Sequence, residues 1–172
     1  MGATTCRAQQ AHLSNPRGYA SRAEGDSTGD PEPERGRKDA WLTLVILAGV
    51  SESLAGLHDD MRWWFSASEQ QVQIVLLAKS EHTGAAIVLE KWEEEVEDDE
   101  SRPVLRQSIT ITRDPTYLAT YNVATTGGAL VLGFKRLFLR DPGPGEGDFV
   151  VSVGDLEYYA EWVWNVLLDD LR

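Results

Sequence analysis

His12, His58 and His82 are the first residues to weigh for metal chemistry. No two of them stand at the HxxxH or HxH spacing of a ligand pair, and the lone Cys6 supplies neither a thiolate cluster nor a disulfide. All three are expected to be structural or exposed. The chain also lacks a GxSxG nucleophile elbow, a Walker A loop and a GxGxxG turn after a strand. The stretch Pro142-Gly143-Pro144-Gly145-Glu146-Gly147-Asp148 has the glycine content of a phosphate cradle. Its two prolines lack N–H donors and its two acids repel an anion, so it is expected to be a mobile turn before a strand. The acidic run Glu93–Glu100 is expected to be a solvated loop. Six tryptophans remain, most of them expected as core or contact anchors. Adjacent Trp63 and Trp64 cannot share one helix face, which suggests an interaction surface near Trp63.

The elements that must position these groups begin late in the chain. Residues 1–38 mix Gly, Ser, Pro, Gln, Arg and Glu with little to bury, and are expected to form a disordered N-terminal arm. Residues 39–172 are long enough for one domain with its own core. Residues 1–40 carry as many bases as acids, so the whole net charge of −12 falls on the remainder. Such a body repels phosphate backbones and disfavours non-specific nucleic-acid binding. No membrane span is legible, because the apolar run Leu44–Val50 is far shorter than the ~20 residues a span needs, and Met1–Gln10 lacks the apolar core of a signal peptide. The expected compartment is intracellular, cytoplasm or nucleus.

Within the body, Leu42–Ala48 reads as a buried strand and Ser51 or Ser53 as the cap of a helix with Leu54, Leu57, Met61, Trp64 and Phe65 on its apolar side. Val72–Ala78 and Ala86–Trp92 read as a hairpin, and Arg106–Thr112 as a half-buried strand. A short Tyr121–Val123 piece follows, then Ala129–Leu139 as a strand leading into a helical turn, and Phe149–Val153 as a strand. Asp155–Leu171 reads as a helix with Leu156, Tyr159, Val163, Val166 and Leu167 facing inward. Ser152 and Asp155 stand at capping-box spacing.

The segments Thr43–Leu54, Asp59–Phe65, Val72–Ala78 and Ile87–Trp92 resemble a widespread group of uncharacterised fungal proteins, which are in turn similar to the restriction-endonuclease-like PD-(D/E)XK superfamily. In that pattern a strand ends in an acid within I-E-x-G-x-S-E-S, a helix bearing a base follows, and two further strands come next, the second ending in tryptophan. Two carboxylates at strand ends hold Mg²⁺ while a base steadies the attacked phosphate. The resemblance implies that Leu47, in Ile46-Leu47-Ala48-Gly49, occupies the acid position, and a leucine cannot ligate a hard cation. It implies Asp39 as the upstream acid and metal ligand, Arg62 as the substitute base, and Glu52 or Glu90 as replacement acids. Glu52 equally suits a first helical turn, and Glu90 the solvent face of a strand.

The expected fold is therefore α/β (α+β): a mixed central β-sheet flanked by an early and a C-terminal helix, a restriction-endonuclease-like core lacking its front part. The leading expectation is a catalytically inactive nuclease-like domain, a pseudoenzyme kept as a binding or interaction module. The alternatives are a Mg²⁺-dependent DNA endonuclease and an accessory protein with no nucleic-acid role. No cofactor is expected unless the endonuclease reading holds, and a protein partner is left open.

Overall fold

The computed structural model describes residues 27–29, 41–81, 86–97, 100–112 and 128–169. Strand β2 (Leu44–Gly49) runs parallel to β3 (Ile74–Ser80), and a parallel pair requires a crossover, which helix α1 (Leu54–Ala67) provides. Strands β4 (Ala86–Glu97) and β5 (Glu100–Thr112) then continue antiparallel from β3, and β1 (Ser27–Gly29) pairs antiparallel with β2. The sheet order is β1-β2-β3-β4-β5, so the sheet is mixed, as expected. A second, two-stranded sheet joins β6 (Leu130–Leu132) to β7 (Phe149–Val151). Helix α2 (Phe134–Phe138) lies between them in sequence, and α3 (Val153–Asp169) follows.

Alternation along β3 separates two hydrophobic clusters. Val75 and Leu77 join Val45, Leu47, Leu57, Met61, Trp64 and Phe65 under α1. Ile74 and Ala78 join Ile87, Leu89, Ile109 and Ile111 with Leu130, Leu132, Leu156 and Trp164 on the other face. The domain is thus three layers, with α1 on one side of the sheet and the β6–β7 sheet with α3 on the other.

Helix α1 forms where the sequence places its signals. Ser53 is extended at the N-cap and its Oγ accepts the Gly56 N–H at 3.0 Å, while Leu57, Met61, Trp64 and Phe65 fall on one buried stripe. The helix ends at Ser68, whose N–H donates to the Trp64 carbonyl and whose Oγ accepts the Val72 N–H. Glu69 and Gln70 then turn the chain through the left-handed region, with φ of 50° and 70°.

The acidic run, expected to be a solvated loop, is instead largely strand. Residues Glu93–Glu97 extend β4, and β5 opens at Glu100. The neutralising charges come from the partner strand: Arg102 reaches Glu97 at 2.9 Å and Glu95 at 3.6 Å, and Arg106 reaches Glu95 at 3.0 Å. Glu93 is buried, 8 % exposed.

The remaining layer follows the expected strand and helical turn. Gln107 of β5 bridges to β6, donating to the Ala129 carbonyl at 2.7 Å and accepting the Val131 N–H at 3.3 Å. The Pro142–Asp148 loop is tied down from within: Glu146 takes a two-armed contact from Arg140, at 2.6 and 2.8 Å, and the Gly143 N–H at 2.8 Å. These donors hold the Glu146 carboxyl down from 4.5 to about 2, the Arg140 hydrogen bond being the largest cause. At the start of α3 the capping box closes, since Asp155 N–H donates to Ser152 Oγ and Ser152 N–H to Asp155 Oδ2, both at 3.2 Å. The inner face of α3 keeps Leu156 and Val163 of the expected stripe and differs elsewhere, with the Leu167 side chain outside the described residues. Leu156, Ala160 and Trp164 are buried, whereas Tyr159 and Val166 lie exposed with Tyr158 and Trp162. The helix is apolar on several sides, so its hydrophobic spacing admits more than one stripe. No helix among the described residues is long and apolar enough to cross a membrane. The Tyr121–Val123 piece, Asp39, Cys6, His12 and His82 lie outside the described residues.

Candidate functional site

Strand register brings together the row in which the resemblance would seat its acids. Leu47 of β2 pairs with Leu77 of β3, and Leu77 with Glu90 of β4. All three fall on the α1 side of the sheet. Leu47 is 2 % exposed and Leu77 fully buried, so two of the three positions in this row are hydrocarbon.

Glu90 is buried too, which corrects the expectation that it suits the solvent face of a strand. Its Oε2 lies 2.6 Å from His58 Nε2 and accepts the Trp92 indole N–H at 2.8 Å. The three groups reach one point from two elements. Glu90 and Trp92 share a face because they stand two apart on β4, and His58 descends from the second turn of α1. The imidazole meets the Trp92 ring edge-on, centroids 5.3 Å apart at 69°. A buried acid is costly unless hydrogen-bonded; the Trp92 indole N–H donates to it from within β4, and the His58 contact to the same oxygen fastens α1 to β4. The His58 side chain stays partly open to solvent while that of Glu90 is nearly covered.

The other expected residues do not converge here. Arg62 is exposed and bonds Asp59 at 2.8 Å, three residues back on the same helix. Glu52 is exposed in the β2–α1 connection, ahead of the first helical turn. Its charge acts locally: burial first, then Glu52 and Asp59, push the Asp60 carboxyl up. Trp63 is half-buried at the edge of the α1 cluster, its ring 5.3 Å from that of the buried Trp64. No group of three or more His, Cys, Asp or Glu side chains able to hold a metal occurs among the described residues.

Sequence reasoning missed His58 and Trp92 as partners of Glu90. The Glu90/Trp92 spacing was a legible signal, since residues two apart on a strand point the same way. The His58 contact depends on how α1 lies across the sheet and left no local trace. No family model matches this chain, and neither a curated protein nor a solved structure matches it.

Proposed function

We propose that this chain is a catalytically inactive nuclease-like domain that serves as a binding module. The observation that carries the reading is Leu47, buried at 2 % exposure in the row it shares with Leu77 and Glu90. A nuclease of this kind needs two oxygen ligands on its cation, and a leucine offers none. Glu90, the remaining acid of that row, already has its Oε2 engaged by His58 and Trp92. Arg62, the substitute base, is engaged with Asp59 at the surface. The net charge of −12 turns the expected partner away from non-specific nucleic acid and towards protein.

Incubation of the full chain with plasmid and single-stranded DNA, with Mg²⁺ or Mn²⁺, tests the reading. Intact DNA is the expected result. Cleavage that needs the metal and disappears in Glu90→Ala or Asp39→Ala overturns it and establishes the endonuclease.

A further inference from the structure

On the sheet face away from His58, the structure forms a second polar site that the nuclease reading does not involve. A cleft of about 660 Å³ opens between β4, β6 and α2, and its charged lining is Lys91, Lys135 and Arg136 against Glu93 and Asp148. Three bases beside these two acids, with Asp141 paired to Lys135 at the rim, make the cleft far less acidic than the rest of a chain of net charge −12.

The acids of this cleft are already committed. Asp148 accepts the Phe134 N–H at 2.8 Å. Glu93 lies beneath three cations, with Arg136 at 3.0 Å, Lys91 at 3.3 Å and Arg106 at 3.7 Å. One carboxylate neutralises one charge, and of these three cations Glu95 pairs with Arg106, sharing itself with Arg102. Lys91 is also fixed by the Val131 carbonyl at 2.7 Å, so its ammonium is part of the floor and does not swing away.

The cations, by contrast, keep capacity for a ligand. Arg136 meets Glu93 through Nε at 3.0 Å, and its fork carries five N–H donors for a carboxylate that it shares with Lys91 and Arg106. Its side chain is one-third exposed. Among the described residues Lys135 is held by an exposed pair with Asp141, at 2.8 Å, an interaction weak enough to exchange for a ligand. A guanidinium oriented by a buried carboxylate beside a movable ammonium is suited to a compact, multiply charged oxyanion.

We propose that this cleft binds a phosphate group, either free or carried by a small molecule. The volume suits a small ligand, since pockets for such ligands run to about 300–1,000 Å³. An extended polyanion does not fit the acidic surroundings. The site stands independently of the inactive-nuclease reading.

The test is calorimetric titration of the full chain at constant ionic strength, with chloride as the balancing salt, using inorganic phosphate, glycerol 3-phosphate and succinate in turn. Nitrogen-15 NMR of the Arg136 Nε–H reports the site directly. One-to-one saturable binding of a phosphate probe is expected, with a shift of that signal. Arg136→Gln weakens it about tenfold or more. Lys135→Gln, at an exposed position that leaves folding intact, weakens it about twofold to fivefold. Tighter binding of glycerol 3-phosphate identifies an organic phosphate as the natural ligand, and tighter binding of inorganic phosphate identifies the free ion. The proposal is overturned if neither phosphate probe binds saturably at millimolar concentration, if Lys135→Gln and Arg136→Gln bind as the parent does, or if succinate binds as tightly as phosphate.

Discussion

Replacing Leu47 by glutamate restores an acid where the resemblance expects one, and the buried row sets the consequence. Full burial of a leucine side chain is worth about 1.5–3 kcal/mol, most of which the variant forfeits. A free glutamate carboxyl titrates near 4.3, so keeping it protonated in the folded chain at pH 7 costs about 1.36 kcal/mol for each of roughly 2.7 units, or about 3.7 kcal/mol. The unpaired hydroxyl adds about 1–3 kcal/mol. The sum exceeds about 5 kcal/mol, comparable with the whole stability of many domains. At pH 5 the proton contribution shrinks to about 1 kcal/mol, so roughly 2.7 kcal/mol returns. The direction follows from the raised pKa of the folded state. The folded chain holds a proton that the unfolded chain releases, so stability is greatest below the unfolded value and is lost as pH rises. Urea unfolding at pH 5 and pH 7, with Leu47→Gln as a non-titrating control, measures the difference. A Leu47→Glu midpoint that tracks Leu47→Gln at both pH values refutes the buried-row reasoning. A midpoint raised by Mn²⁺ shows that the row accepts a metal once an acid is supplied.

Other consequences are smaller and more local. Trp92→Phe removes one donor to the Glu90 carboxylate and is expected to destabilise by about 1.5–3 kcal/mol, read as a lower urea midpoint. Arg140→Ala removes the main cause of the low Glu146 pKa, so the carboxyl moves from about 2 back towards 4.5 in a carbon-13 NMR titration. In the parent chain the stabilisation linked to this group is full above 4.5 and is lost as pH falls through about 2. Gln70 sits at φ 70°, where a side chain is strained, so Gln70→Gly is expected to stabilise by about 0.5–1 kcal/mol in thermal unfolding. The Glu95, Glu97, Arg102 and Arg106 pairs are largely exposed, so hydrogen exchange near the β4–β5 tip is expected to quicken in high salt.

What the sequence made legible was whatever rests on neighbours in the chain. The spacing of Leu57, Met61, Trp64 and Phe65 after Ser53 specifies both the extent and the buried side of α1. The Ser152–Asp155 box marks the start of α3 in the same way. The β6 strand and α2 turn were legible through alternation followed by its loss. Charge misled where its compensation lay across the sheet: Glu93–Glu97 looked too acidic to pack because Arg102, Arg106 and Arg136 belong to other elements. The environments of Glu90 and Glu93 differ for the same reason. Register places one against an imidazole and an indole and the other under three cations, and neither register nor helix placement is written locally.

In the sheet, spatial order repeats chain order from β1 to β5. Strands β3, β4 and β5 follow one another across short stretches of sequence, whereas β2 reaches β3 through α1, and closing short loops carries a small entropic cost. The β3–β4–β5 meander can form before anything downstream exists, and α1 needs only β2 and β3 to shelter its stripe. A ribosome feeding out this chain would thus release a sheet already assembled up to Thr112, leaving α3 as the final piece to close over Ile109 and Ile111.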